Sequence, residues 1–238
     1  ISATTLDGVV VNISSDGEMG VDILQGSHTF TDLEVNMPYN QFATGSTGIN
    51  AWWCDLIGGD VTVTGFANSI SVYEAVLNID DLILLDSAKQ GLYASSSMVS
   101  VNDLLETRVS DNGLVLDSSA AVIRTWDASY HDDGGVIDSE SEATIWSLST
   151  LNNLYADVTG DGVLNYGTSQ ALILNTGTDN RIWEMAVTFE DLTGNPVDAD
   201  WTVLGFSGTA TGGMDTLPVS EAGSMIVATY AGVGAQST

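Results

Sequence analysis

Apolar and polar side chains alternate along most of this chain with a period of two. Such alternation is typical of β-strands that bury one face and expose the other. The longest example runs through Trp183, Met185, Val187 and Phe189. Clusters of Gly, Ser, Thr, Asn and Asp separate the alternating segments, as connections between strands require. The pattern therefore predicts an all-β protein.

Helical spacing of apolar residues is scarce. Residues 100–109 fit one short helix, and residues 169–175 fit a second, weaker one. We therefore predict a single β-rich domain over residues 1–238. Its expected architecture is an antiparallel β-sandwich or jelly roll with one or two short helices.

One short phrase recurs in the sequence, an aspartate followed by leucine. It is found at Asp32, Asp81, Asp103 and Asp191, with irregular spacing. A solenoid or a propeller would show a fixed period. On that ground we interpret the phrase as a common way to begin or end a strand and predict no repeat architecture.

The N-terminal segment, residues 1–13, is apolar, β-branched and free of proline. Val9, Val11 and Ile13 place one apolar face on it. A sheet could hold this segment as an ordinary edge strand, or a neighbouring subunit could receive it as an exchanged strand. We therefore name these three residues as candidate assembly residues.

Charge narrows the range of partners. The chain has 238 residues, with 32 Asp and Glu against four Lys and Arg, and a formal net charge of −28. Binding to nucleic-acid phosphates or docking on an anionic membrane needs clustered basic residues, so both are excluded. No apolar run is long enough to span a bilayer. The self-repulsion of so many carboxylates favours an environment rich in salt or divalent cations.

The segment of residues 157–168 has the spacing of a calcium loop. Asp157, Thr159 and Asp161 occupy positions 1, 3 and 5, and Asn165 occupies position 9. Gly162 occupies position 6, where a sharp turn is needed. The loop resembles those of dockerin and EF-hand repeats, and the resemblance extends over about a dozen residues.

That resemblance implies tentative calcium binding by six residues: Asp157, Thr159, Asp161, Val163, Asn165 and Thr168. Val163 would offer its backbone carbonyl. Thr168 departs from the pattern, because the last position usually carries an acidic residue that binds with both oxygens. Dockerins carry two such loops and this chain has one, so docking onto a cohesin partner is not implied. An ordinary Asp-Gly turn between strands is the alternative.

Signatures of catalysis are missing from the sequence. It has two histidines, no nucleophile elbow, no zinc-binding His pattern and no phosphate-binding loop with lysine. Cys54 is alone and lies among large apolar residues, so we predict a buried, inert thiol. The pair Trp52–Trp53 is a candidate platform for a sugar ring, with packing in the core as the alternative.

These observations predict a non-enzymatic, self-assembling structural subunit of an extracellular filament, pilus-like fibre or surface layer, whose partners are copies of itself. A capsid or appendage protein of a halophilic or marine virus is one alternative. A carbohydrate-binding or adhesion module is another, which exposed paired aromatic residues would favour. The chain begins with Ile1 rather than Met, as the mature end of an exported protein would.

Overall fold

A computed structural model describes residues 4–14, 18–38, 45–128, 133–138, 140–149, 154–168, 172–174, 178–230 and 233–237. These residues form strands and no helix. The strands are β1 Thr4–Leu6, β2 Val9–Asn12, β3 Met19–Asn36, β4 Thr47–Thr64, β5 Asn68–Tyr73, β6 Val76–Leu85, β7 Gln90–Ser95, β8 Met98–Thr107, β9 Asn112–Asp117, β10 Ala120–Asp127, β11 Asp133–Ile137, β12 Glu142–Ser149, β13 Leu154–Val158, β14 Val163–Thr168, β15 Leu172–Leu174, β16 Thr178–Thr188, β17 Ala199–Val203, β18 Phe206–Ala210, β19 Met214–Ser220, β20 Ile226–Tyr230 and β21 Val233–Ser237.

Strands β1 to β16 form a parallel β-solenoid of about six turns. Val76 pairs with Met98 and Met98 with Ala120, so one turn takes 22 residues. Each turn crosses two faces. Face 1 contains the first halves of β3 and β4, then β5, β7, β9, β11, β13 and β15. Face 2 contains β1, β2, the second halves of β3 and β4, then β6, β8, β10, β12, β14 and the start of β16.

The all-β prediction is confirmed, but the antiparallel sandwich or jelly roll is wrong. Alternation reports that one face of a strand is buried, and it is the same whether the neighbouring strand is parallel or antiparallel. The period was hidden because Met19 pairs with Thr47, 28 residues away, whereas later turns take 21 or 22. The extra residues lie in the connection between β3 and β4.

The two predicted helices are also wrong, because residues 100–109 lie mostly in β8 and residues 169–175 include β15. In β8, Asn102 and Asp103 are consecutive and both exposed, because the strand bends there. Two outward residues in succession separate Val101 from Leu104 by three positions. That spacing imitates the apolar face of a helix.

The core of the solenoid is built from columns of apolar side chains that stack from turn to turn. One column contains Val61, Leu82, Leu104 and Trp126, all less than a twentieth exposed. Burial of each such side chain stabilises the fold by about 1.5–3 kcal/mol. Because every turn covers the one before it, the columns give the solenoid a single continuous core.

The corner that leads from face 1 to face 2, here the first corner, repeats the same backbone conformation. Gln25, Trp53, Glu74, Ser96 and Ser118 all have φ between 48° and 59°, the left-handed region that few non-glycine residues adopt. They occupy equivalent positions in successive turns. The conformation turns the chain sharply and directs these side chains away from the core.

A column of serines, here the serine ladder, follows the first corner. The amide of Ser97 donates to the hydroxyl of Ser119 at 2.9 Å, and the amide of Ser119 donates to that of Ser141 at 3.0 Å. Ser141 in turn donates to Asp138. Burial acts to raise the pKa of Asp138, but hydrogen bonds, first among them that from Ser141, outweigh it and hold the pKa low. The ladder satisfies backbone amides that the corner would otherwise bury unpaired.

Strands β17 to β21 lie beyond the solenoid. β16 pairs with β19 in antiparallel fashion, and β18, β17, β20 and β21 form a four-stranded sheet. Their core contains Trp201, Phe206 and Leu217. It packs on the side of the solenoid, where the ring of Trp146 lies 5.3 Å from that of Phe206. The prediction of one domain over residues 1–238 stays a prediction.

Candidate binding groove and acidic face

A cluster of aromatic rings lies on the outside of face 1, next to the first corner. The ring of Trp52 stacks on that of Tyr73 with centroids 4.0 Å apart and planes 12° apart. Tyr93 lies 5.5 Å from Tyr73, and Trp53 lies 5.7 Å from Trp52. Trp53 remains 51% exposed. The tryptophan pair is therefore outside the core of the solenoid.

An open groove of about 960 Å³ runs along the first corner. Four successive turns line it. The corner position contributes Gln25, Trp53, Glu74 and Ser96. The first position of face 2 contributes Ser27, Asp55, Val76 and Met98. Parallel strands are about 4.8 Å apart, so four turns span about 14 Å along the solenoid axis.

The floor of the groove includes the thiol of Cys54, which is free and buried. Burial raises the pKa of this thiol, the charge of Asp55 raises it further, and a backbone hydrogen bond near Trp52 opposes the rise. A thiol with a raised pKa is a poor nucleophile. The predicted burial of Cys54 is confirmed, and the raised pKa agrees with an inert role.

Face 2 carries a column of carboxylates on its outer surface, here the aspartate ladder. Asp32 pairs with Asp60, Asp60 with Asp81, and Asp81 with Asp103, in adjacent parallel strands. Partial burial raises the pKa of Asp81, and the charges of Asp60 and Asp103 raise it further. Three of the recurring Asp-Leu phrases therefore mark equivalent positions of a repeat; the fourth, at Asp191, lies outside the solenoid.

The aspartate ladder makes a prediction about pH. A raised pKa means that the fold disfavours ionised Asp81, so this residue lowers stability once the pH exceeds its unfolded pKa of about 3.9. Asp81→Asn should raise the melting temperature near neutral pH, by no more than about 0.5 kcal/mol because solvent screens the site. The gain should vanish near pH 3 and shrink in molar NaCl. Asp111→Asn, an exposed aspartate outside the ladder, is the control. Equal effects of both variants at every pH would contradict the prediction.

The predicted calcium loop lies at a corner between β13 and β14. Thr159 and Asp161 are exposed in the turn, while Val163 begins β14. Gly162 is explained by the turn itself, because a Cβ there would strike the backbone carbonyl of Asp138. The following segment is β14 rather than the helix that leaves an EF-hand loop.

Two further calcium candidates lie within β14. The amide of Asn165 is buried and bonds to other rungs of face 2: it donates to Thr144 at 3.3 Å and accepts from Asn180 at 3.0 Å. Thr168 ends the strand. The turn therefore groups Asp157, Thr159 and Asp161 in sequence, whereas Asn165 is engaged in the sheet.

No protein-family model, no curated protein and no solved structure matches this chain. Its function has to be inferred from the residues themselves. Within the described part of the chain, no group of three or more His, Cys, Asp or Glu side chains is placed to hold a metal ion. No helix among those residues has the length and apolarity to cross a bilayer.

Calcium at residues 157–168 stays a prediction, since two carboxylates and several neutral oxygens make up the loop. Calcium that binds the folded state raises the melting temperature, by about 2.7 kcal/mol at a hundredfold excess over its Kd. We expect millimolar calcium to raise it, and Asp157→Ala and Asp161→Ala each to remove the rise. Asp111→Ala should keep it. Variants that respond to calcium like the parent would place the ion elsewhere.

The candidate assembly residues lie on the outermost described turn. Val9, Val11 and Ile13 are partly buried and pack against the solenoid core. β2 pairs in parallel with β3 of the same chain, with Val9 opposite Leu33 and Val11 opposite Val35. Exchange of this strand between subunits stays a prediction. Of the two histidines, His28 lies 3.0 Å (Nε2) from the backbone oxygen of Gln25, and His131 lies outside the described residues.

Proposed function

We propose that this protein is a structural, self-assembling subunit of an extracellular filament, pilus-like fibre or surface layer. One observation carries the proposal. Among the described strands, β1 and β2 pair only with β3, so the outer edge of β2 offers its backbone groups to a further strand. Below that edge, Val9, Val11 and Ile13 cover the core incompletely.

A second copy of the chain fits this edge. A parallel edge that also ends a column of core side chains accepts a strand of the same pattern, with main-chain hydrogen bonds for affinity and alternate side chains for register. Within the monomer, residues 1–13 contribute strands β1 and β2 to their own solenoid. The same pairing made with a neighbour's β3 would link subunits by exchange of an identical element.

The acidic surface supports a salt-rich or calcium-rich setting for the assembly. Adjacent strands place the carboxylates of Asp60, Asp81 and Asp103 side by side. Their repulsion acts over about 30 Å at 0.01 M salt but only about 3 Å at 1 M. Polymers of subunits with a net charge of −28 each would require such screening. A virion of a halophilic or marine virus would meet the same requirement.

Deletion of residues 1–13 tests the proposal. The shortened chain should form no polymer and remain as a soluble monomer of lower melting temperature, because it lacks the strands that cover the core. Added peptide 1–13 should restore stability and prevent growth, whereas a scrambled peptide should do neither. Electron microscopy and sedimentation measure assembly, and calorimetry measures stability.

A pair of point variants on one strand serves as a matched control. Val11→Asp places a charge on the partly buried side of β2, and Val10→Asp places it on the side where Val10 is 55% exposed. Only Val11→Asp should weaken polymers. If the deleted chain polymerises like the parent, strand exchange is wrong. If the intact protein is a strict monomer at high concentration in salt and calcium, the structural-subunit function is wrong.

A carbohydrate-binding or adhesion module is the second candidate function. A different observation favours it, namely that Trp53 is half exposed beside the stacked pair of Trp52 and Tyr73. The two functions are compatible, because the groove at the first corner and the edge of β2 are separate surfaces of the solenoid.

A further inference from the structure

We propose that the groove along the first corner binds a neutral glycan chain, laid parallel to the solenoid axis across four turns. The inference rests on the second candidate function and gives it a site and a ligand class. It does not depend on self-assembly. Trp53 would stack on a sugar ring, while Asp55 and Glu74 would accept hydrogen bonds from sugar hydroxyls.

Trp53 is held ready for stacking. Its backbone has φ of 53°, the conformation shared by the whole first corner, so its side chain projects outward from the sheet. Trp52 supports it at 5.7 Å and is itself stacked on Tyr73 at 4.0 Å. An aromatic ring fixed before binding loses little conformational entropy when a ligand stacks on it. The apolar C–H face of a pyranose ring is the natural partner of such a surface.

The polar groups of the groove are suited to hydroxyl donors. Asp55 and Glu74 lie on neighbouring turns, and both are exposed. Ionised carboxylates only accept hydrogen bonds, and hydroxyls of a sugar donate them. The backbone amide of Glu74 donates to the carbonyl of Ser95 at 2.9 Å, which fixes the backbone that carries the carboxylate. A few placed polar groups beside an apolar surface are what ligand sites generally show.

Charge restricts the ligand to neutral chains. The four basic residues of the protein are Lys89, Arg108, Arg124 and Arg181, and none of them lines the groove. Uronic acids, sulfated sugars and phosphate groups would meet Asp55 and Glu74 without a compensating cation. The most acidic column of the solenoid is the aspartate ladder on face 2, so a purely cationic ligand would have a better site there than here.

The shape of the groove favours an extended chain over a single sugar. Its 960 Å³ is at the upper end of the range for sites that take drug-sized ligands. Beyond Trp53, Val76 and Met98 continue the apolar floor along the axis, and Met98 is 63% exposed. An oligosaccharide that follows the corner would cover these side chains turn by turn.

Titration of the intact protein with defined oligosaccharides tests the inference. The probes are linear β-glucan, mannan and chitin oligomers, with alginate oligomers as an anionic comparison and oligolysine as a cationic one. We expect quenching of tryptophan fluorescence by at least one neutral series, with affinity that rises with chain length, and no response to alginate. Trp53→Ala should weaken that binding at least tenfold, and Glu74→Gln severalfold.

Trp183→Ala is the matched control, because Trp183 is 54% exposed on β16, outside the groove. It should bind like the parent, and equal melting temperatures confirm that both variants are folded. Neutral glycans that bind equally to Trp53→Ala would overturn the site but leave the adhesion function standing. Failure of every neutral probe would overturn both. Oligolysine binding that depends on Trp53, without glycan binding, would overturn the ligand class.

Discussion

Removal of one complete turn should leave a folded protein, whereas removal of half a turn should not. Deletion of residues 76–97 joins Ala75 to Met98, which already occupies the position equivalent to Val76 one turn later. The deletion should carry Ser69→Gly, because Ser69 would take the place of Gly91 beside Glu106. Stability in repeat architectures is close to a sum over repeats and their interfaces, so one turn less means a lower melting temperature but the same fold.

The half-turn deletion, residues 76–86, joins Ala75 to Ser87 and places strands of face 1 where face 2 should continue. Apolar columns then lose their register, and we expect no cooperative unfolding transition. Far-ultraviolet circular dichroism and calorimetry on the two variants measure the contrast. Loss of folding in both variants would argue against the solenoid, because an antiparallel sandwich would tolerate neither deletion.

Gly113→Ala should destabilise the solenoid by about 3 kcal/mol, as overpacking of a tight core does at its upper range. A Cβ at position 113 would lie inside contact distance of the Glu106 carboxylate and 2.9 Å from Cζ2 of Trp126. Neither neighbour can retreat, because both are buried and Nε1 of Trp126 donates to Glu106 at 2.7 Å. Gly45→Ala is the control, since nothing lies within 4 Å of its Cβ position.

A double-mutant cycle separates this contact from a general intolerance of alanine. In a Glu106→Ala background the new methyl group meets less, so Gly113→Ala should cost less than in the parent. We expect a coupling of about 0.5–3 kcal/mol between the two sites, as measured for residues in contact. Chemical denaturation of the four proteins measures it. Additive effects would mean that Glu106 does not determine the need for glycine.

The sequence was informative about strands and uninformative about how they pair. Alternating residues such as Val61 and Val63 do lie in a strand with one buried side. Pairing is decided by contacts between distant residues, and the 22-residue period needed to see them is interrupted between β3 and β4. The serines at 97, 119 and 141 keep the period without error, and they were the clearest signal available.

The candidate groove was half visible in the sequence. The tryptophan pair at 52 and 53 is contiguous and was identified as a platform. Glu74 and Met98 come from later turns, so they join it only once the turn length is known. The calcium loop shows the opposite case. Its spacing is local and easy to read, yet Asn165 spends its amide on Thr144 and Asn180 in neighbouring rungs.

The stacking of turns also determines how the molecule would carry a load. A pull along the solenoid axis acts on one interface after another, because each turn contacts only the turns before and after it. Detachment of one 22-residue turn would release about 7 nm of extended chain at about 3.4 Å per residue. A cell-surface or filament subunit built this way would yield stepwise under tension and dissipate work at each step, instead of failing at a single point.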